Sequence, residues 1–374
     1  MSSSRSATLG PPAGPAAEPS PKNAWLFFFA GVVLFTLAMM LASFPAGFYT
    51  VFVSHLSNSY TSSTPVYGLA YDFMLSTVQV PVSGNLGDVF VLSSAVYFGF
   101  LLLSAAQGGG VLRALRGATS KGYRELFSSP LAGMMVLLGA ASLVTILIDS
   151  VQSSAGIQTG SVSGDPFDLL VNFTLAPLLE ESTFRLVMIG VPVALLSVIL
   201  LREFSPKQIL HVLWRPSSAW DVDETSEFEG VRTFEGSGFS LFPPGSSESL
   251  KVRAIKPVVL VFLVLSSVMF GYAHYASGAG WGPGKISEAA LAGLALGYLY
   301  VKYGFHTSVL MHWSINYVGS VFSFLAQGLY GIPWTSNSGS FLDVFPTFDL
   351  VFLLGVPSLL LVVNELLKGL GSRQ

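Results

Sequence analysis

The longest apolar stretch of the sequence, residues 168–201, reads DLLVNFTLAPLLEESTFRLVMIGVPVALLSVILL. It is longer than the about 20 residues that a helix needs to cross the hydrocarbon core of a membrane. Pro177 and Pro192 lie inside it and predict a kink or a short break in the helix. Two adjacent carboxylates and an arginine interrupt its apolar residues. The stretch therefore predicts a membrane span that carries charge in its interior.

The composition of the whole chain agrees with a membrane protein. Of its 374 residues, 51% are hydrophobic and 10% are charged, and the mean hydropathy is +0.63. Soluble proteins carry about 25% charged residues, so this chain has too few to cover a water-exposed surface. The absence of cysteine excludes a disulfide scaffold, a thiolate metal site and a cysteine nucleophile. The net charge of −3 argues against nucleic acid as a partner.

Eight apolar runs of about span length recur along the chain. They cover residues 24–43, 88–107, 130–149, 168–201, 256–277, 286–303, 306–327 and 347–366. Nearly all Lys and Arg residues fall on one side of these runs, as the positive-inside rule requires if the N-terminus is cytoplasmic. We therefore predict an all-α polytopic membrane protein of about eight transmembrane helices with both termini cytoplasmic, and no strands are expected.

The remaining segments suggest a simple domain organisation. Residues 1–22 are rich in Ser, Pro, Ala and Gly and predict a disordered tail, and 23–374 are interpreted as one integral-membrane domain. The loop at about 203–255 holds an acidic stretch and predicts a solvated, partly disordered cytoplasmic insertion. No organellar targeting signal is recognised, so the plasma membrane is favoured over an internal membrane.

Most charges inside or beside the runs lie at helix ends, where water can solvate them. These are Asp88, Asp149, Glu288, Lys302, Asp349 and Glu365. Glu180, Glu181 and Arg185 instead lie deep in the fourth run. Glu181 and Arg185 are four residues apart on one helix face and can pair, whereas Glu180 is rotated by about 100° and is left to act as a base. A structural ion-pair cluster that joins helices is the alternative interpretation.

Further polar side chains occur in two other runs. His274 lies in the fifth, and His312 and Asn316 share a face of the seventh. A carboxylate base, a histidine and hydrogen-bond donors for an oxyanion together suit peptide hydrolysis, although a single histidine can equally serve helix packing. The other histidines are interpreted as bystanders in loops or at helix ends: His55, His211 and His306.

Three motifs carry a resemblance to a known family. They are Glu180-Glu181-Ser-Thr-Phe-Arg185, Phe270-Gly-Tyr-Ala-His274 and His312-Trp-Ser-Ile-Asn316. In order and residue type they resemble the motif series of the CAAX-protease and bacteriocin-processing family, in particular its CAAX prenyl protease type 2 branch. The resemblance covers about residues 168–320.

The resemblance implies a glutamate-dependent intramembrane endopeptidase. Glu180 would activate water and His274 would hold and polarise it. His312 and Asn316 would then donate hydrogen bonds to the oxyanion. Glu181 and Arg185, with Phe270, would support the site. The implied partners are a membrane-anchored protein or peptide substrate and the lipid bilayer, and no cofactor is expected. In eukaryotic relatives the substrate is a prenylated C-terminal CAAX segment that loses its last three residues.

Other functions stay open at this point. A zinc-dependent protease, with metalloendopeptidase activity, would use His274, His312 and Glu180 as ligands. A transporter would use the same charges as a proton or ion pathway, and a non-catalytic membrane scaffold would use them for packing.

The depth of the candidate residues presents a geometric difficulty. Counting residues from the helix ends, at 1.5 Å each, places His312 more than about 10 Å from the level of Glu180 and His274 if the helices are straight and parallel. Kinks, tilt or shifted boundaries are required to bring the three side chains together.

Overall fold

A computed structural model describes residues 21–54, 65–66, 69–73, 76–81, 83–201, 205–219, 250–333 and 346–371. Residues 1–20 of the predicted tail, His55 and the central part of the predicted insertion lie outside the described residues. The described residues are predominantly helical, which confirms the predicted all-α class.

The helices are numbered here in chain order. They are α1 Pro21–Phe52, α2 Leu86–Ala106, α3 Val111–Lys121, α4 Pro130–Ser154, α5 (166–201), α6 Pro206–Trp214, α7 Leu250–Ala276, α8 Lys285–Tyr303, α9 (305–330) and α10 (349–371). Three of them, α5, α9 and α10, contain a π-helical segment. These segments are Ser182–Gly190, Ser314–Val318 and Asp349–Leu353, respectively.

Seven helical stretches in the described part of the chain are long and apolar enough to cross a membrane. They are Ala24–Phe52, Leu86–Gly109, Pro130–Ser154, Phe167–Leu200, Ile255–Ala276, Phe305–Tyr330 and Pro346–Lys368. Each overlaps a predicted run. The remaining predicted run, 286–303, forms helix α8 but is not among the seven, because tyrosines and the charged Glu288 and Lys302 lower its hydropathy. The cytoplasmic placement of both termini stays a prediction.

The connection between α1 and α2 differs from the prediction. Helix α1 continues to Phe52, well past the predicted end at residue 43, and it includes Pro45. The chain then forms two small antiparallel sheets between the apolar runs, whereas the runs themselves are helical, as expected. One pairs β1 Pro65–Val66 with β4 Gly84–Asn85, and the other pairs β2 Leu69–Phe73 with β3 Ser76–Val80.

The described part of the predicted insertion is not a solvated loop. Residues 205–219 form α6 and a short 3₁₀ turn, Pro216–Ala219, that packs against the helices. The ring of Trp214 stacks on that of His306 with 5.6 Å between their centres. This contact explains why His306, predicted as a bystander near a helix end, is buried.

Four helix-end charges are buried rather than solvated, which contradicts the prediction. They are Glu288, Lys302, Asp349 and Glu365, with 4%, 7%, 1% and 9% of their surface exposed. Each has a polar partner. Asp349 accepts a hydrogen bond from Thr36 (2.8 Å), and Glu365 forms an ion pair with Arg124 (2.9 Å). Lys302 donates a hydrogen bond to the Tyr298 hydroxyl (3.1 Å). Glu288 accepts one from Thr159 (2.9 Å). Asp88, in contrast, is exposed and caps α2.

The interior packs helices α5, α7, α8 and α9 together and so positions the site. Helix α8 lies against α7, α9 and α4, and the π-helical segment of α5 contacts α7. In α9, Trp313 is stacked between the rings of Tyr97 and Tyr317, with ring centres 4.9 and 5.0 Å away. Helices α7 and α8 approach closely at Gly271, where an added Cβ would overlap the carbonyl oxygen of Ile286.

Candidate active site

The motif residues lie where α-helical and π-helical segments meet. Glu180 and Glu181 end the first α-helical part of α5, and Arg185 lies in the π segment that follows. His312 comes shortly before the π segment of α9, and Asn316 lies within it. Such π-helical turns are rare and frequently occur at functional sites.

Glu181 and Arg185 form a fully buried ion pair. The distance from Arg185 Nε to Glu181 Oε2 is 3.1 Å, and neither side chain is exposed. Arg185 Nη1 also donates a hydrogen bond to Ser266 of α7 (2.8 Å). A buried charge is tolerated only when it is paired and hydrogen-bonded, and the ion pair with the Ser266 bond meets this in part, because Arg185 Nε and Nη2 have no hydrogen-bond partner among the described residues. The predicted pairing of Glu181 with Arg185 is therefore present.

Helix α9 supplies two further partners to Glu181. The hydroxyl of Ser308 donates a hydrogen bond to Glu181 Oε2, and His312 Nδ1 lies 3.0 Å from Oε1. An ionised carboxylate can only accept hydrogen bonds, so Nδ1 of His312 carries the proton that is donated to Glu181. Glu181 is thus held by an arginine, a serine and a histidine, and it orients the imidazole of His312.

Glu180 has a different environment from its neighbour. One third of its side chain (33%) is exposed, and its Oε2 atom lies 3.7 Å from His312 Nε2. Among the described residues, no hydrogen-bond partner reaches the buried Oε2 atom. Of the two adjacent carboxylates, Glu180 is the one with an oxygen available to another molecule.

Phe270 separates the two histidines. Its ring packs edge-to-face against His274 and against His312, with ring centres 4.7 and 5.4 Å away, and Arg185 lies 5.1 Å from the ring centre. His274 Nδ1 lies 2.9 Å from the carbonyl oxygen of Phe270. Because a carbonyl only accepts, Nδ1 carries the proton, and a neutral His274 presents the lone pair of Nε2.

The structure brings the three candidate residues together, which removes the difficulty raised by residue counting: Glu180 Oε2 lies 3.7 Å from His312 Nε2, and the Phe270 ring contacts both His274 and His312. After α5 the chain turns back, and the end of α6 packs against the turn between α8 and α9, where the carbonyl oxygen of Trp214 lies beside Gly304. There Leu213 accepts a hydrogen bond from Tyr300 (2.5 Å), and the Tyr300 hydroxyl lies beside Gly190. Counting from the end of the apolar run therefore overestimates the height of Glu180.

A cavity opens beside these side chains. Its volume is about 130 Å³, and it is lined by His274, His312 and Asn316 together with Ala141, Ser142, Thr145, Phe270, Lys285, Glu288, Ala289, Ala292, Leu296 and Ile315. Glu180 is not among the lining residues, but its Oε2 atom lies 3.7 Å from Nε2 of His312, which lines the cavity. Two histidines and an amide therefore share one cavity with a carboxylate next to it.

The sequence interpretation missed the supporting serines Ser266 and Ser308. Each lies four residues before a motif residue, Ser266 before Phe270 and Ser308 before His312. Residues four apart share a helix face, so this spacing alone predicts that each serine lies on the same face as the motif residues of its helix. Lys285, which the sequence analysis did not single out, also lies in the cavity wall.

The zinc alternative lacks a ligand cluster in the described residues. No group of three or more His, Cys, Asp or Glu side chains there is placed to hold a metal ion. The expectation that no cofactor is required stays a prediction.

A comparison with protein families identifies the region that contains the site. Residues 163–318 match the model of the Rce1-like family of type II CAAX prenyl endopeptidases. The matched residues include all three motifs, and the match confirms the resemblance predicted from them. No curated protein and no solved structure matches the chain.

Proposed function

We propose that the protein is an intramembrane endopeptidase of the CAAX type in which Glu180 activates the attacking water. The family match supports the reaction class. The observation that carries the assignment is the contrast between the two glutamates. Glu181 is neutralised by Arg185, whereas the Oε2 atom of Glu180 has no hydrogen-bond partner among the described residues.

Water fits between Glu180 and the histidines. A separation of 3.7 Å between Glu180 Oε2 and His312 Nε2 is too long for a direct hydrogen bond and leaves both atoms within reach of one bridging molecule. Glu180 takes a proton from that water, and the resulting hydroxide attacks the peptide carbonyl carbon. His274 holds the water by accepting its second hydrogen at Nε2.

Asn316 and His312 stabilise the oxyanion. The amide of Asn316 is a donor at every pH, and it lies in the wall of the same cavity. His312 donates through Nε2 when its ring carries both protons, with Nδ1 kept on Glu181. One positioned donor in a site without water is typically worth about 3 kcal/mol in the transition state. Protonated Glu180 then returns its proton to the leaving amine.

The substrate is a membrane-associated peptide. Seven apolar helices support a site within the bilayer, where a membrane-anchored chain can reach it by lateral diffusion. We propose a prenylated CAAX-type peptide as the first substrate to test, because the matched family is named for it. The plasma-membrane location stays a prediction, which fractionation against marker proteins would test.

The test compares purified parent protein with Glu180→Gln and His274→Ala, using prenylated CAAX peptides and other membrane-tethered peptides. We expect the parent to release a C-terminal fragment and Glu180→Gln to lose at least about 100-fold in kcat, the range expected for a general base. Variants that cut as fast as the parent would contradict the proposal and favour a scaffold. Glu180-dependent ion flux into vesicles without cleavage would favour a transporter.

A further inference from the structure

We propose that Lys285 binds the free C-terminal carboxylate of the peptide substrate and so sets where the chain is cut. This inference rests on the proposed peptidase function and adds a recognition element to it. Lys285 begins α8 and lines the same cavity as His274, His312 and Asn316. Of the residues that line this cavity, it is the one cation that is charged irrespective of histidine protonation.

The ammonium group of Lys285 is held in place but retains donors. Its Nζ lies over the ring of Trp281, 4.3 Å from the ring centre, and 3.6 Å from Glu288 Oε2. The second distance exceeds that of a direct hydrogen bond. The side chain is 21% exposed. An ammonium has three donor hydrogens, so a bound carboxylate can be accepted without displacing either neighbour.

The loop that leads to Lys285 is held in place by backbone hydrogen bonds. The loop after α4 and the loop before α8 run side by side, with Gly160 paired to Trp281. Gly282 N–H donates to Thr159 O (2.7 Å) and Gly284 N–H to Gln158 O (3.0 Å). The hydroxyl of Thr159 also lies on Glu288. The cation therefore sits on a fixed part of the cavity mouth, as a recognition residue requires.

The spacing suits a cut a few residues from the end of the chain. The ring centre of Trp281 lies 6.4 Å from that of His274 and 4.3 Å from Lys285 Nζ, so Lys285 Nζ is no farther from the His274 ring centre than these two distances added together. Three extended residues span about 10 Å, which is comparable to these two steps together. A carboxylate on Lys285 would leave a peptide bond near His274. The small side chains Ala289 and Ala292 of the cavity wall leave room for the intervening residues.

The negative charge of Glu288 would repel the carboxylate of a bound peptide if no positive charge compensated it. Glu288 is 5% exposed in its side chain, accepts a hydrogen bond from Thr159 and faces Lys285. Its role in this arrangement is to fix the ammonium at the cavity mouth. The amide oxygen of a glutamine could still accept from Thr159 and face the ammonium, so we expect a Glu288→Gln variant to keep the preference for a free carboxylate.

The experiment compares two membrane-anchored peptides that differ only at the C-terminus, a free acid and its amide, in detergent without anionic lipid. Removing charged lipid separates a peptide carboxylate from a lipid headgroup as the bound anion. The parent and Lys285→Arg should prefer the acid. For Lys285→Met we expect the KM for the acid to rise about tenfold or more, because a charge-assisted hydrogen bond is stronger than one between neutral groups. Its activity on the amide should stay as in the parent.

The amide substrate also reports whether the variant is folded. If Lys285→Met cuts the acid and the amide in the same ratio as the parent, this inference is wrong while the peptidase function stands. If the parent cuts neither peptide, the proposed function fails and the inference fails with it. If Glu288→Gln loses the preference for the acid while Lys285→Met keeps it, Lys285 is not the residue that recognises the carboxylate.

Discussion

Glu181 holds His312 by its Nδ1 atom, 3.0 Å from Oε1, in a position where both side chains are nearly sealed from solvent. A carboxylate behind a histidine fixes both its tautomer and the direction of its ring. The consequence is that the free Nε2 of His312 faces Glu180. Two adjacent glutamates thus act on opposite sides of one imidazole.

The two glutamates should respond differently to the same isosteric change. Glu180→Gln should leave the stability within about 0.5 kcal/mol of the parent, because Glu180 makes no hydrogen bond at Oε2, but should abolish cleavage. Glu181→Gln should lower the free energy of unfolding by about 3–5 kcal/mol, since it leaves Arg185 buried without a counter-charge. Thermal unfolding in detergent and peptide cleavage measure both. Equal stability losses would contradict the division of roles.

Ser308 should contribute to activity through Glu181. Ser308→Ala removes a donor from a buried carboxylate, so we expect a stability loss of about 1–3 kcal/mol and a lower kcat. Ser267→Ala is the matched control, because this serine is also buried but donates its hydrogen bond to the carbonyl oxygen of Leu263 in its own helix (2.7 Å). If the Ser308→Ala enzyme keeps the parent's pH profile and kcat, Ser308 does not position the site.

The ring of Phe270 should matter for catalysis beyond its packing. Phe270→Leu keeps an apolar side chain but removes the surface that separates His274 from His312, and we expect kcat to fall more than stability does. Phe173→Leu, which alters a ring contact with Phe324 away from the cavity, provides the comparison. The measurement is kcat for both variants at matched folded fraction. Similar kcat values for the two would count against a role for the ring.

The close approach of α7 and α8 predicts a steric effect. Gly271→Ala forces a Cβ against the Ile286 carbonyl and should cost about 1–3 kcal/mol and displace the neighbouring Phe270. Gly99→Ala, in α2, meets nothing within 4 Å and should be neutral or stabilising by up to about 1 kcal/mol. Unfolding temperatures of the two variants test this. An unchanged unfolding temperature for Gly271→Ala would mean that the helices separate at little cost.

Chelation separates the two protease mechanisms that the sequence left open. We expect zinc chelators to leave cleavage unchanged, because the proposed water is activated by Glu180. The measurement is activity after prolonged chelator treatment, with and without added zinc. Full loss that zinc restores would establish the alternative in which His274, His312 and Glu180 serve as ligands.

The sequence predicts the membrane class and the motif residues well because both depend on local patterns. Apolar runs, and charges four residues apart, are visible in the chain itself. Glu181 and Arg185 can therefore be paired from their spacing alone, and the folded protein contains that pair.

The contacts between distant segments could not be predicted in this way. Nothing near Asp349 in the sequence indicates its hydrogen bond to Thr36 across the bundle, so its burial was missed. The depth of Glu180 was misjudged for a similar reason, because the return of α6 to the level of Gly190 is a tertiary event. Residue spacing reports helix faces but not where a helix lies along the membrane normal.

The π-helical segments make the site sensitive to chain length. Each accommodates an extra residue within a turn, as in Ser182–Gly190 of α5 and Ser314–Val318 of α9. Deleting one residue there would let the turn return to α geometry and would shift the residues within that turn relative to their partners. Tyr317, which stacks on Trp313, lies within such a turn, whereas substitutions nearby leave the length of the turn unchanged. In these two helices, the number of residues determines the geometry of the candidate site as much as their identity does.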